Sequence, residues 1–149
     1  MATTTAPATT DSVAIATRLR LSATRLARRL RQETETGLTP SQLSALATID
    51  RHGPVTLGAL ADHERVAPPS ITKVVAKLEA DRLVQRRADD RDRRIAWVTL
   101  TPAGTKLLSQ VRQRKNAWLA ARLATLDGRQ RRRLADALDV LDEITADAP

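Results

Sequence analysis

The stretch from Pro68 to Thr101 restricts the fold of this chain more than any other segment. Apolar residues first recur at helical spacing in PPSITKVVAKLEAD, and two strand-like runs follow, LVQRR and RIAWVTLT. Between the two runs lies a loop in which three aspartates alternate with three arginines. The segment therefore predicts a helix followed by a β-hairpin with a highly charged tip.

Capping signals mark where several other helices begin. In two places a residue that can cap a helix is followed three positions later by a glutamine, which completes a capping box: Thr39 with Gln42, and Asp127 with Gln130. Thr101-Pro102 opens a long helix after the hairpin, and LGALADHERV predicts a short helix behind a stub of strand. Apolar spacing predicts a further helix from about Asp11 to Arg31.

The predicted order is helix, helix, strand stub, helix, helix, hairpin, helix, helix. Two short helices joined by a tight turn and followed by a hairpin are typical of a winged helix-turn-helix, so the fold class is mainly α (α+β). The long helices at either end have no core of their own to cover, so the simplest expectation is that their apolar sides pack against a second copy of the chain. We expect a flexible tail at 1–10, a single domain at 11–146, dimerisation helices at 11–36 and 102–146, and a winged lobe at 38–101.

Composition excludes several kinds of chemistry. The 149 residues include no cysteine and only two histidines, so disulfides, thiolate nucleophiles and histidine-rich metal sites are not expected. We find no Ser-His-Asp arrangement, phosphate loop or paired-carboxylate cleft, and we expect no enzyme activity and no cofactor. No apolar run approaches the roughly 20 residues of a membrane span, and no secretory signal is evident. The expectation is a cytoplasmic protein without a membrane partner.

The charge balance favours a polyanionic partner, with nucleic acid ahead of a membrane surface. The net charge is +8 and the pI is near 11.3. Helical projection of PPSITKVVAKLEA places small, hydroxyl and lysine side chains opposite its apolar side. Such a face suits a DNA major groove, with Pro69, Ser70, Thr72, Lys73 and Lys77 as the candidate contacts. The alternative, an ordinary solvated face, stays open for this helix taken alone.

Placed after that helix, the hairpin is predicted to be a wing. An arginine at a wing tip can enter the minor groove, and an aspartate two residues away can hold its guanidinium in one orientation. The candidates are Arg91, Asp92, Arg93 and Arg94. The alternative is a solvated loop whose charges compensate one another.

Three segments resemble the multiple antibiotic resistance regulator (MarR) family of bacterial transcription factors. PPSITKVVAKLEADRLVQRR is similar to the family's recognition helix running into the wing. DRRIAWVTLTPAG, residues 92–104, is similar to its Asp-x-Arg wing signature followed by Leu-Thr-x-x-Gly. LDGRQRRRLADALDVL resembles its final dimerisation helix. The resemblance covers about residues 11–146.

The resemblance implies a homodimeric, sequence-specific regulator of transcription that binds a pseudo-palindromic operator in double-stranded DNA. Such a protein represses its own or a neighbouring gene, and a small phenolic or anionic ligand releases it. Asp92 and Arg94 would form the wing pair. Arg86 matches a position near weak anionic-ligand sites in some relatives, and Trp118 is expected in the core or dimer interface, or as a wall of an effector pocket.

Three features leave alternatives open. Arg82 stands where relatives commonly have glycine, so it either adopts a left-handed conformation under strain or ends the helix differently. Residues 112–133 carry eight basic side chains and one acidic one, which suits pairing across the dimer, an anionic effector or DNA flanks. A sequence-indifferent, nucleoid-type architectural protein would share the basic, dimeric character.

Trp97 is expected to pack the wing onto the helices.

Overall fold

A computed structural model describes residues 8–146, and its element order confirms the predicted winged helix-turn-helix class. The elements are α1 (Ala8–Gln32), α2 (Pro40–His52), β1 (Val55–Thr56), α3 (Leu57–Glu64), α4 (Pro68–Ala80), β2 (Val84–Ala88), β3 (Ala96–Leu100), α5 (Pro102–Ala124) and α6 (Gly128–Thr145). Residues 8–10 of the expected tail form the start of α1, and its residues 1–7 lie outside the described residues. No helix in the described range is long and apolar enough to cross a bilayer.

The chain divides into two compact units. One comprises residues 34–113, and the other comprises the described parts of 1–33 and 114–149. The first unit holds α2, α3, α4, the sheet and the beginning of α5. The second holds α1, the remainder of α5 and α6.

Residues 34–113 fold around an aliphatic core, as a chain without Phe or Tyr requires. The largest fully buried side chains come from three helices and the sheet: Leu46, Ile49, Leu60, Ile71, Val75, Leu78, Val84 and Val98. Burial of each such side chain contributes about 1.5–3 kcal/mol. This core fixes the rotation of α4 and of the sheet, and so decides which of their side chains face outward.

The sheet is antiparallel, with β3 between β1 and β2. Arg86 pairs with Val98 and Arg87 pairs with Trp97. Because side chains alternate across a strand, Val84, Arg86 and Val98 share one face, whereas Arg87 and Trp97 lie on the other. The first face is the one that meets the core.

The predicted helix starts are confirmed by their caps. In both capping boxes the hydroxyl or carboxylate of the cap accepts the backbone N–H of the glutamine, which in turn accepts the N–H of the cap. At the start of α5 the Thr101 hydroxyl accepts the N–H of Gly104 at 3.1 Å. These bonds involve residues three apart, so short-range sequence signals suffice to predict them.

Arg82 adopts the left-handed conformation that glycine usually serves, with φ of 58°. Its N–H donates to the Glu79 carbonyl at 2.9 Å, and its own carbonyl accepts the Thr101 hydroxyl at 2.7 Å. Both backbone groups are therefore paired, and the conformation is held in place despite the Cβ of arginine. The backbone here turns directly from α4 into the wing.

Arg82→Gly is expected to stabilise the protein by about 0.5–1 kcal/mol. Removing the Cβ relieves a left-handed penalty of about 1–2 kcal/mol, and the greater freedom of glycine in the unfolded chain offsets part of that gain. Guanidinium unfolding followed by circular dichroism measures the change. Arg82→Ala is the control, because it removes the long side chain but keeps the Cβ. Equal stability of the Gly and Ala variants would contradict strain at this position.

Candidate nucleic-acid interface

The outward face of α4 is fixed by the side that the helix buries. Ile71, Val75 and Leu78 pack into the core, as predicted from their spacing. The five candidate contacts are all exposed: Pro69, Ser70, Thr72, Lys73 and Lys77. The structure therefore brings them together on one surface, at the start and along the outer side of the second helix of a helix-turn-helix.

Two candidates on α4 already have partners within the lobe. The Thr72 hydroxyl donates to the Pro68 carbonyl at 2.9 Å, and Lys77 forms an ion pair of 3.0 Å with Asp81. Lys73 forms no ion pair within the described residues, and it lies one turn before Lys77 on the same surface. Its ammonium group is the α4 cation most available to a phosphate or a base edge.

The wing tip, residues 89–94, is organised by two aspartates. One Asp89 carboxylate oxygen accepts the N–H of Arg91 at 2.8 Å and that of Asp92 at 3.0 Å, which folds the loop into a turn. Asp92 accepts the N–H of Arg94 at 3.0 Å. The tip is therefore an ordered turn whose direction is set by side-chain-to-backbone bonds.

The predicted pair between Asp92 and Arg94 is formed. The guanidinium binds both carboxylate oxygens, through Nε at 3.1 Å and Nη2 at 3.2 Å. The Arg94 side chain is nevertheless 92% exposed. Arg91 and Arg93 are exposed beside it. The arrangement holds one guanidinium in a defined orientation while leaving its other N–H groups for a ligand.

Both aspartates are stabilised in the ionised form. The bond from the Arg94 side chain, followed by that from the Arg94 N–H, lowers the pKa of Asp92 below its ordinary 3.8. The indole N–H of Trp97, followed by the backbone amides of Asp92 and Arg91, lowers the pKa of Asp89 below the same value. Because the pKa values are depressed, this stabilisation is present above pH 3.8 and is lost as pH falls through the lowered values.

The expectation that Trp97 packs the wing onto the helices is wrong. Trp97 lies on the face of β3 opposite the buried Val98 and is 36% exposed. Its indole N–H donates to Asp89 at 2.9 Å, across the base of the wing tip. Strand alternation indicates that the adjacent Val98 and Trp97 lie on opposite faces, but it does not indicate which of the two faces the core.

Arg86 and Trp118, the two candidate effector residues, have different surroundings. Arg86 binds Glu79 of α4 through Nε at 2.8 Å, which ties the first wing strand to the candidate DNA-reading helix. Sequence reasoning missed this pair. Trp118, in α5, is half-buried, and the Arg122 guanidinium lies 4.2 Å from the centre of the Trp118 ring. The buried indole N–H of Trp118 has no acceptor in the described residues.

One member of the basic segment 112–133 pairs within its own unit. Arg112 binds Asp50 of α2 at 2.6 Å. No group of three or more histidine, aspartate or glutamate side chains within the described range is placed to hold a metal ion.

Comparison with known proteins gives a consistent set of relatives. A sequence model of the MarR family matches residues 38–96. An uncharacterised HTH-type transcriptional regulator of Mycobacterium leprae, ML2140, is 38% identical over 136 residues, covering 91% of this chain and 95% of the relative. The HTH-type transcriptional repressor MdtR of Bacillus subtilis is 31% identical over 90 residues, covering 60% of this chain and 58% of the relative.

Solved structures of similar fold include transcriptional regulators. A crystal structure assigned to a transcriptional regulator of Pseudomonas aeruginosa is 33% identical with a TM-score of 0.83, covering 93% of this chain and 98% of that one. A mutant of MepR from Staphylococcus aureus, bound to an oligodeoxyribonucleotide, is 18% identical with a TM-score of 0.70, covering 88% and 98%, and shares the fold.

The winged helix-turn-helix is a DNA-binding fold, and the relatives that match most of this chain are transcriptional regulators. This chain belongs to the MarR family, whose members are transcriptional regulators and not enzymes.

Proposed function

We propose that this protein is a homodimeric repressor that binds a pseudo-palindromic operator near its own or a neighbouring gene in the cytoplasm. The exposed face of α4 enters the major groove of double-stranded DNA, and Arg94 enters the adjacent minor groove. One observation carries this proposal. The Asp92-oriented guanidinium of Arg94 and the lysine-bearing face of α4 belong to one compactly packed lobe.

Specificity is assigned to α4 and affinity mainly to the wing. Ser70, Thr72 and Lys73 lie on the exposed face of α4, where short side chains allow close approach to base edges. Pro69 begins that face, and Lys77 extends it along the backbone phosphates. Arg91 and Arg93 flank Arg94 and add attraction to phosphates, which is strong but independent of sequence.

Dimerisation is assigned to the helices at 11–36 and 102–146, of which residues 102–113 also pack into the compact unit that holds the winged lobe at 38–101. Nine large apolar side chains in the unit formed by the two chain ends are between 36% and 62% exposed: Val13, Ile15, Leu21, Leu26, Leu123, Leu134, Leu138, Val140 and Ile144. No residue of α6 is buried in the single chain. Because exposed apolar surface of this kind marks an interface, a second copy is the proposed cover.

The proposal also includes repression of transcription and release of the protein from DNA by a ligand. MdtR, a relative over part of the chain, is named a repressor. A dimer bound to a promoter would exclude polymerase by occupying the DNA. A small phenolic or anionic ligand, held near Arg86 or Trp118, would change the separation of the two lobes. A cavity of about 410 Å³ beside Arg25, Arg28, Arg29 and Gln32 of α1 also favours an anion.

A titration against the DNA flanking the protein's own gene, beside a scrambled duplex, tests this function at two salt concentrations. We expect the flanking DNA to bind about a thousandfold or more tightly than the scrambled one. Affinity for both should fall steeply with salt. Sequence-specific repression would be contradicted if the flanking DNA, the scrambled DNA and fragments selected from the whole genome were all bound with equal affinity. Such a result is sequence-indifferent binding. It would favour an architectural protein instead, a function that the basic segment 112–133 also suits.

A further inference from the structure

A continuous series of hydrogen bonds joins the central strand of the sheet to Arg94. The indole N–H of Trp97 in β3 donates to Asp89 Oδ2 at 2.9 Å, and Asp89 Oδ1 accepts the backbone N–H of Asp92 at 3.0 Å. Asp92 then holds the Arg94 guanidinium through both of its carboxylate oxygens. Every link between Trp97 and the arginine assigned to the minor groove is therefore a direct contact.

Trp97 is the only member of this series that stands on a strand paired on both sides. Its backbone lies opposite Thr56 of β1 and Arg87 of β2. The other members, Asp89, Asp92 and Arg94, lie in the exposed loop. The indole bond is thus the side-chain connection that fastens the turn to the most constrained strand of the wing.

We propose that Trp97 is a positioning residue for DNA binding, which acts through Asp89 to hold the wing tip and Arg94 in the geometry that the minor groove requires. This inference rests on the proposed function. Without the indole bond, Asp89 Oδ2 would have no partner among the described residues, and the carboxylate could turn away from the amides of Arg91 and Asp92. The backbone bonds from the Asp89 N–H to the Ile95 carbonyl and from the Ile95 N–H to the Asp92 carbonyl, each 2.9 Å, would still close the loop. The residues at its tip would have to be ordered during binding, which lowers affinity.

The exposure of Trp97 separates this function from a contribution to the core. Its ring lies on the outer face of the sheet, beside Pro54, Arg87 and Thr99 at an open cavity of about 570 Å³. The neighbouring Val98 fills the core instead and is fully buried. A change at Trp97 that preserves the ring should therefore leave the lobe folded.

Trp97→Phe is the direct test, because it keeps an aromatic ring of high strand propensity and removes the N–H. We expect operator affinity to fall roughly fivefold, because one hydrogen bond to a charged group is lost. The loss is smaller than the full strength of that bond, because contact with DNA restores part of the order of the loop. Thr99→Val changes a side chain on the same sheet face outside the bond series, and it should bind like the parent. An unchanged affinity of Trp97→Phe would overturn the proposal.

A double-mutant cycle with Arg94→Ala decides whether Trp97 acts through Arg94. If it does, Trp97→Phe should have a clearly smaller effect on a protein that already lacks the guanidinium, because only the placement of Arg91 and Arg93 then remains to be lost. An equal loss of affinity in both backgrounds would overturn the positioning function. If Arg94→Ala alone leaves operator binding unchanged, the proposed wing contact fails first, and the inference about Trp97 fails with it.

Asp89→Asn offers a second variant with the same logic. The asparagine oxygen can still accept the amides of Arg91 and Asp92, but its NH₂ group cannot accept from the indole, so the side chain is no longer held against those amides. Because Asp89→Asn also removes a negative charge that repels phosphates, the comparison is made within that background: adding Trp97→Phe to Asp89→Asn should cause no further loss of affinity. Additive losses would overturn the proposal.

Carboxyl NMR titration provides a readout that a merely structural contribution would not change. In the parent protein the pKa of Asp89 should lie below 3.8, and in Trp97→Phe it should rise toward that value, because the indole bond is the largest cause of its depression. An Asp89 pKa that is identical in the parent and in Trp97→Phe would show that the bond does not form in solution and would overturn the inference.

Discussion

Arg94→Ala is expected to lower operator affinity roughly 30-fold or more, since an arginine contact to DNA contributes roughly 1–3 kcal/mol and a dimer loses one contact from each of its two wings. The Arg94 side chain is 92% exposed and bonds to Asp92 within its own loop, so the fold should be unaffected. Fluorescence anisotropy with a labelled operator measures the loss. The dependence of affinity on salt should also become less steep by about one unit of slope for each contact removed.

Two further variants separate orientation from charge at the wing. Arg94→Lys keeps the positive charge but cannot bind Asp92 through two parallel N–H groups, so its affinity should lie between those of the parent and the alanine variant. Arg51→Ala removes one exposed positive charge from α2 and should have little effect. If Arg94→Ala and Arg51→Ala weaken binding to the same small extent, Arg94 contributes only net charge, and the minor-groove contact is wrong.

Gly104→Ala is expected to destabilise the lobe by about 3 kcal/mol, at the upper end of the usual cost of overpacking. A Cβ on Gly104 would overlap the Leu83 carbonyl oxygen and lie 3.4 Å from Leu100 Cδ2. The carbonyl cannot move aside freely, because it accepts the N–H of Thr101 at 3.0 Å. Either α5 or the start of β2 must shift. Denaturant unfolding measures the loss of stability.

Gly58→Ala is the matched control for this substitution. Gly58 also lies near the start of a helix, α3, and a Cβ there would meet no atom within 4 Å. Because alanine has a helix propensity about 1 kcal/mol better than glycine, Gly58→Ala should be neutral or slightly stabilising. Equal unfolding midpoints for the two variants would show that the contact between α5 and Leu83 is loose.

The features that were predictable from the sequence depend on residues close together in the chain. The buried side of α4 follows from the helical spacing of Ile71, Val75 and Leu78. The bond between Asp92 and Arg94 joins residues two apart, within reach of any tight turn. Such contacts require only that the local element forms, so the sequence pattern is sufficient to indicate them.

The environment of Trp97 was not predictable in the same way. Alternation along a strand defines two faces, but it does not say which of them a helix will cover. Val98 joins the buried cluster formed by side chains of α2, α3 and α4, and this decided that Trp97 faces outward and meets Asp89.

Sequence alone determined the order of the elements, their caps, the exposed side of α4 and the charged wing tip, since each arises from interactions over a few residues. Only the tertiary structure decided that Glu79 meets Arg86 and that Asp50 meets Arg112, a pair 62 positions apart. These partners are chosen when the core closes around side chains from several elements. Their meeting depends on the relative placement of whole helices and strands, which no short segment of the sequence specifies.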